Sequence, residues 1–221
     1  RLTISRQQRG DRQVGRKLMK TVRGRSSSRP SAPAAYHHGD LRAALLDAAE
    51  AELAEKGVQG FTLRGCARRA GVSHAAPAHH FADVTALLTE MAAIGFERLT
   101  GAMRERRRRV AADARAQFIA SGEGYIAFAL QNPQHFALMF GRAGLDRANP
   151  RLAAAGRAAF GELLDVVGGV TGAKDPLAER RGRHDVMLAW SFVHGFAKLR
   201  VENRLDGLTK AGSADEQEDI T

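Results

Sequence analysis

The chain has 221 residues, 34 Lys and Arg against 24 Asp and Glu, 44% apolar residues and one cysteine, Cys66. A single cysteine excludes an internal disulfide scaffold and suits a reducing compartment. No apolar run approaches the roughly 18 residues that a membrane-spanning helix needs, and no secretory core opens the sequence, so a cytoplasmic globular chain with no membrane partner is expected.

The net charge of +10 is unevenly spread. Residues 1–35 carry ten basic groups and one acid, Asp11, whereas residues 36–221 carry 24 basic and 23 acidic groups. Of the 34 basic residues 28 are Arg, so genome-wide codon bias accounts for the excess as readily as selection for a polyanionic partner. The first 35 residues are rich in Arg, Ser and Gly and lack apolar periodicity, which predicts a disordered basic arm. It reads as a DNA-touching arm, an extension upstream of the true start, or, less well, a transit peptide lacking its amphipathic face. Residues 209–221, acidic and sparse in apolar groups, are expected to be a second disordered tail.

Between the tails the apolar spacing is helical and predicts an all-α fold. Leu41, Leu45, Ala48, Ala49 and Leu53 share one helix face, with Asp40 placed to cap the start and Gly57 to close the end. Thr62 can cap a second helix whose apolar side holds Leu63, Cys66, Ala67 and Ala70. Gly71 then supplies a left-handed turn with Val72 facing inward, and Ser73 can cap a third short helix. Longer helices follow over Thr85 to about Arg108, Asp113 to Gln131, Pro133 to Phe140, Pro150 to Val170 and Pro176 to about Leu205, three of them opened by a proline, where the first turn tolerates one. Late in the chain Phe160, Leu163, Leu164, Val167 and Val170 form one apolar stripe, and Met187, Trp190, His194, Ala197 and Val201 another.

The run from Thr62 to Phe81 has the physics of a helix-turn-helix: an amphipathic helix, a glycine-centred turn and a short helix with a slim outer face that fits the major groove. The same pattern also serves a plain helical hairpin inside a bundle. Arg104 and Arg106 to Arg109 end their helix where positive charge suits the dipole, which implies a solvated terminus and no function. The histidines show no i,i+4 pairing and no cysteine neighbours, so no metal site is expected. Gly168 to Lys174 lacks the Lys-Ser/Thr ending and the leading strand of a phosphate loop. No nucleophile, base and acid form a set, so neither an enzyme nor a cofactor is expected. Cys66, on the apolar side of its helix, reads as inert packing.

The stretch from Tyr36 to about Met91 resembles the tetracycline-repressor (TetR) family of transcriptional regulators. It does so through Tyr-His-His-Gly-Asp-Leu-Arg, Glu-Lys-Gly, Gly-Phe-Thr-Leu-Arg, Ala-Arg-Arg-Ala-Gly-Val-Ser, His-His-Phe-Ala-Asp and Ala-Leu-Leu. The later half is similar to a branch of that family with a Trp-His-Gly motif, here Trp190, His194 and Gly195. The resemblance implies an N-terminal three-helix DNA-binding domain over 36–83, a helical effector-binding and dimerisation domain over 84–208, and a homodimer built on the last two long helices. It implies a repressor that holds a palindromic double-stranded DNA operator and responds to a small apolar or aromatic effector, or, alternatively, a sensing dimer that has lost specific DNA binding.

On this resemblance Thr62 and Ser73 cap their helices and touch phosphates, while His74, Ala75, Ala76, His79 and His80 meet the groove. Trp190 and His194, four apart on one face, are expected to line an effector cavity with Phe118, Tyr125, Phe128, Phe136, Met139 and Phe140. Two departures stand out: Ala78 occupies a position where the family usually has a phosphate-touching Tyr, and Val84 one where it usually has Lys. Each lost phosphate contact flattens the log–log salt dependence by about 0.9, so a dimer missing two per subunit is about 3 to 4 units shallower than a full set would give. Removing residues 1–35 is expected to flatten the slope further when DNA affinity is measured against salt, and an unchanged slope and affinity would exclude a role for the arm.

Overall fold

The computed structural model describes residues 41–207, in which every regular element is helical. The basic arm, Asp40 with its proposed cap, and the acidic tail lie outside these residues. The order is α1 (Leu41–Gly60), α2 (Leu63–Arg69), a 3-10 turn (Ala76–His79), α3 (Val84–Arg108), α4 (Ala114–Gln131), α5 (Pro133–Phe140), α6 (Pro150–Thr171) and α7 (Arg180–Val201). None of the described helices is long and apolar enough to cross a membrane.

The first helix buries Leu45, Ala48, Ala49 and Leu53 as its periodicity requires. It breaks at Gly57, whose φ of 62° lies in the left-handed region that a side chain resists. Thr62 accepts the Gly65 N–H at 3.0 Å and opens α2, which buries Cys66 and Ala67 against α1. Glu52, almost wholly buried on α1, is neutralised by Arg69 of α2 at 2.6 Å. Removing either partner would strand the other, so this pair fixes how the two helices cross.

The third short helix forms as a 3-10 helix, Ala76–His79, and not as a Ser73-capped one. Ser73 makes no cap bond, and the chain instead makes a 3-10 turn with Ala75 at its N-cap. Pro77 explains the difference. In a Ser73-capped α-helix its nitrogen would have to donate to the Ser73 carbonyl, which proline cannot do, and its ring would strike that carbonyl. The Ser73 carbonyl takes the Ala76 N–H at 3.0 Å.

Asp83 accepts the Ala86 N–H at 2.8 Å and starts the 25-residue α3, one residue earlier than the spacing suggested. This helix packs on α1, α4, α5 and α6. Its arginine-rich end is only partly solvated: Arg104 and Arg107 bind the buried Glu162 of α6 at 2.7 and 2.8 Å, and Arg107 also reaches Asp165 at 2.6 Å. Of the expected solvent-facing run, Arg108 and Arg109 pair with Glu105 on their own helix. The last helix begins at Arg180 instead of Pro176, because residues 175–178 are held in a turn. Asp175 accepts the Leu177 N–H at 2.9 Å, and Arg183 donates to the Leu177 and Ala178 carbonyls. It ends at Val201, short of Leu205, and Asn203 beyond it has a φ of 56°.

The backbones of α3 and α4 meet at Gly124. A Cβ there would come within 2.7 Å of the Ala102 carbonyl oxygen and of Met103 Cα, whereas at Gly101 it would meet nothing. Gly124→Ala is therefore expected to destabilise the protein by about 1–3 kcal/mol through overpacking. Gly101→Ala should stabilise it by up to about 1 kcal/mol, the helix-propensity gain alone. Urea denaturation of both variants checks the opposed signs.

Candidate nucleic-acid interface and ligand cavity

After α2 the chain turns at Gly71, tucks Val72 against the core and buries Pro77 and Phe81. This anchors the turn from within and leaves Ser73, His74, Ala75, Ala78, His79 and His80 exposed, with Ala76 half-buried and Thr62 exposed at the head of α2. The sequence-predicted DNA set is thus accessible to solvent apart from half-buried Ala76, and its short third helix is 3-10 rather than α-helical. Of the three arginines between Thr62 and Ala82, Arg69 is consumed by Glu52 and Glu55. Arg64 and Arg68 are exposed on α2 with no acidic partner among the described residues. The sequence shows Arg64, Arg68 and Arg69 with no acid between Thr62 and Ala82, but does not single out Arg64 and Arg68 as site residues; their outward face on an amphipathic helix was the available signal. Val84 is partly exposed at the first position of α3.

The helical body carries a cavity of about 940 Å³, open to solvent on one side, between α3, α4, α5, α6 and α7. Of the residues named for an effector site, Phe118, Tyr125, Met139, Phe140 and Trp190 line it. Phe128, Phe136 and His194 are not part of its wall: the two phenylalanines are buried in the core, and His194 stacks on Phe136 with ring centroids 5.2 Å apart. Sequence reasoning missed Phe96, Leu99 and Met103 of α3 and Ala159, Phe160, Leu163, Val166 and Val167 of α6, which complete the wall. Phe160 meets Trp190 edge to face at 5.9 Å.

Behind the wall Tyr125 and His194 are joined, hydroxyl to Nδ1, at 2.8 Å. Burial pushes the Tyr125 phenol above its ordinary range, opposed by a hydrogen bond from the Trp190 side chain. Whether the Tyr125 hydroxyl or the His194 Nδ1 donates follows from the imidazole tautomer. Burial, with Lys198 one turn on, lowers the His194 pKa. The Cys66 thiol, fully buried, is pushed up to about 11 by burial and by Glu52. A thiol so placed is a poor nucleophile.

A polar junction joins α1 to α3 and α5. Glu50 of α1 sits 2.8 Å from Arg98 Nη2 and 3.5 Å from the Nε2 of buried His135. Burial alone would raise its carboxyl, but the adjacent His135 and Arg98 outweigh it and hold the group below the ordinary carboxylate range. Among the described residues no cluster of three or more His, Cys, Asp or Glu is arranged to hold a metal ion.

The fold is shared with several solved structures. A protein of unknown function from Rhodococcus sp. RHA1 is 39% identical, with 79% of this chain and 90% of that chain aligned at a TM-score of 0.67. The TetR family transcriptional regulator PfmR from Thermus thermophilus is 20% identical, over 70% of this chain and 84% of its own, with a TM-score of 0.53. A TetR-family regulator from Bordetella parapertussis 12822 is 18% identical, over 76% and 96%, with a TM-score of 0.52. Among curated proteins no significant match is found.

An exposed Thr62-capped helix and turn ahead of a hollow helical body define the class as a helix-turn-helix DNA-binding protein. Residues 45–91 match the family described as "Bacterial regulatory proteins, tetR family", and residues 118–218 match "Tetracyclin repressor-like, C-terminal domain". The chain belongs to the TetR family and is a transcriptional regulator.

A half-buried His194 whose pKa is lowered has a pH signature. The unfolded chain takes up this proton near pH 6.5 and the folded chain only at lower pH. Stability is therefore expected to hold above about pH 6.5 and to fall as the pH drops through it. Thermal melts across that range should show a smaller fall in His194→Asn, and the His194 ring protons in NMR should titrate below pH 6.5.

Proposed function

We propose that this regulator is a homodimeric repressor that holds an inverted-repeat operator and releases it when a small apolar or aromatic molecule fills the cavity of its body. The division we adopt is a DNA-binding domain over 36–83 and an effector and dimerisation domain over 84–208, the latter of the Trp-His-Gly branch through Trp190, His194 and Gly195.

One observation carries this reading. The helix α3 contributes Phe96, Leu99 and Met103 to the cavity wall and begins at Asp83, two residues after the buried Phe81 that anchors the exposed turn. A guest that pushes on the middle of α3 therefore acts on its N-terminal end as well. Two turns related by a twofold axis must meet successive major grooves about 34 Å apart, so a small pivot of α3 in each subunit takes the pair out of register. By linkage, operator DNA weakens guest binding by the same factor.

Dimerisation is supported by α7, much of whose apolar surface is uncovered within one subunit. Leu188 and Phe192, at the open side of the cavity, are 72% and 73% exposed, with Met187, Phe196 and Leu199 also exposed. An exposed apolar stretch of this extent is normally covered, and a second copy covers it here. In the DNA contact, Thr62, Ser73, Arg64 and Arg68 serve phosphates, and His74, Ala75, Ala76, His79 and His80 serve base edges.

Selection of bound duplexes from a random pool tests the reading. Enrichment of an inverted repeat, with Arg64→Ala and Arg68→Ala each lowering the salt slope, is the expected result. Ala78 and Val84 favour the alternative of a dimer without specific DNA binding, and salt-sensitive retention of unrelated sequences alone would establish that alternative.

A further inference from the structure

The wall of the cavity is incomplete within one subunit. Ile119 of α4, Val170 of α6, and Leu188 and Phe192 of α7 all line it, yet all four are exposed. A chamber open along this side leaves part of any apolar guest in water.

The exposed side continues beyond the cavity. On α7, Leu188, Phe192, Phe196 and Leu199 follow at intervals of four, four and three residues, which places them in a single stripe. All four are exposed, but only Leu188 and Phe192 belong to the wall. A partner that covers Phe196 and Leu199 therefore reaches the cavity mouth as well. Gly195 lies in the same stripe, in the interior of α7, where glycine is a poor helix former. A Cβ added at 195 would meet nothing in its own subunit, so the packing of one chain gives no reason for a glycine there. A helix that crosses closely from outside gives one. About a twofold axis the stripe faces its own copy, and each subunit offers the other the same apolar side chains.

We propose that the second copy closes the cavity: its α7 crosses at Gly195 and lays its apolar stripe over Leu188 and Phe192, so that the guest site is complete only in the dimer. The proposal rests on the dimer and effector readings above and makes them one equilibrium. Burying about 60 Å² more of an apolar guest is enough to tighten its binding by about tenfold. Each dimer holds two such sites, so by linkage a saturating guest tightens dimerisation by up to about a hundredfold.

The uncharged fluorophore N-phenyl-1-naphthylamine, whose emission rises in apolar surroundings, serves as the guest, and sedimentation velocity gives the oligomeric state of the full chain. Probe affinity is expected to fall about tenfold as the chain is diluted from dimer to monomer. Saturating probe should in turn move the midpoint of dimerisation to lower protein concentration. In Gly195→Glu the new side chain starts into open space within its subunit but sets two like charges together at the crossing. This variant should be a folded monomer, checked by circular dichroism, with the weaker affinity at every concentration. Equal affinity in monomer and dimer overturns the proposal and leaves both readings standing. A Gly195→Glu chain that dimerises like the unaltered one overturns the crossing at Gly195. A chain that is monomeric at every concentration overturns the dimer reading too, and a dimer that takes up no probe overturns the effector reading too.

Discussion

The backbone of α3 can approach that of α4 closely only because residue 124 is glycine, and much of the body's geometry follows from that contact. With α4 pressed to one side and α6 tied to α3 through Glu162, Arg104 and Arg107, the three helices hold their spacing without large side chains at the crossing. The volume left between them and α7 remains a cavity. A hollow body is expensive, since interiors otherwise pack to crystal-like density. The cost is carried here by a tightly built frame, with glycine at one crossing and a buried carboxylate answered by two guanidinium groups at another.

The same logic of paired buried charges recurs at the N-terminal end. Glu52 with Arg69 and Glu50 with Arg98 and His135 both place carboxylates of α1 against cations of other helices. Such pairs add little net stability, but they penalise any arrangement that separates them, and so specify one crossing of the helices. A consequence for DNA binding is that Arg69 is spent internally. The positive charge suggested by three arginines and no acid in Thr62 to Ala82 falls in practice to Arg64 and Arg68. Together with alanine at 78 and valine at 84, this leaves a sparse set of phosphate contacts, in which the identity of the exposed turn counts for more than its charge.

Most of the secondary structure, and the class of protein it builds, were legible in the chain itself. Helix faces such as Leu45, Ala48, Ala49 and Leu53, the breaks at Gly57 and Gly71, and the cap Thr62 are local statements: each depends on residues within about one turn, where spacing and backbone preference decide. The form of the third helix is equally local: Pro77 stands four residues beyond Ser73, and its missing N–H replaces a Ser73-capped α-helix by a 3-10 one.

What the tertiary structure alone decided concerns residues far apart in sequence. That Phe128, Phe136 and His194 stand outside the cavity wall while Phe96, Leu163 and Arg147 belong to it depends on the rotation of each helix about its axis. Periodicity fixes only which residues share a face, never what that face meets. Likewise the choice of Glu162 as partner for Arg104 and Arg107, across more than fifty positions, arises from the crossing of α3 and α6. Composition bounds the charge of the chain; only packing determines which charges remain free to meet a partner.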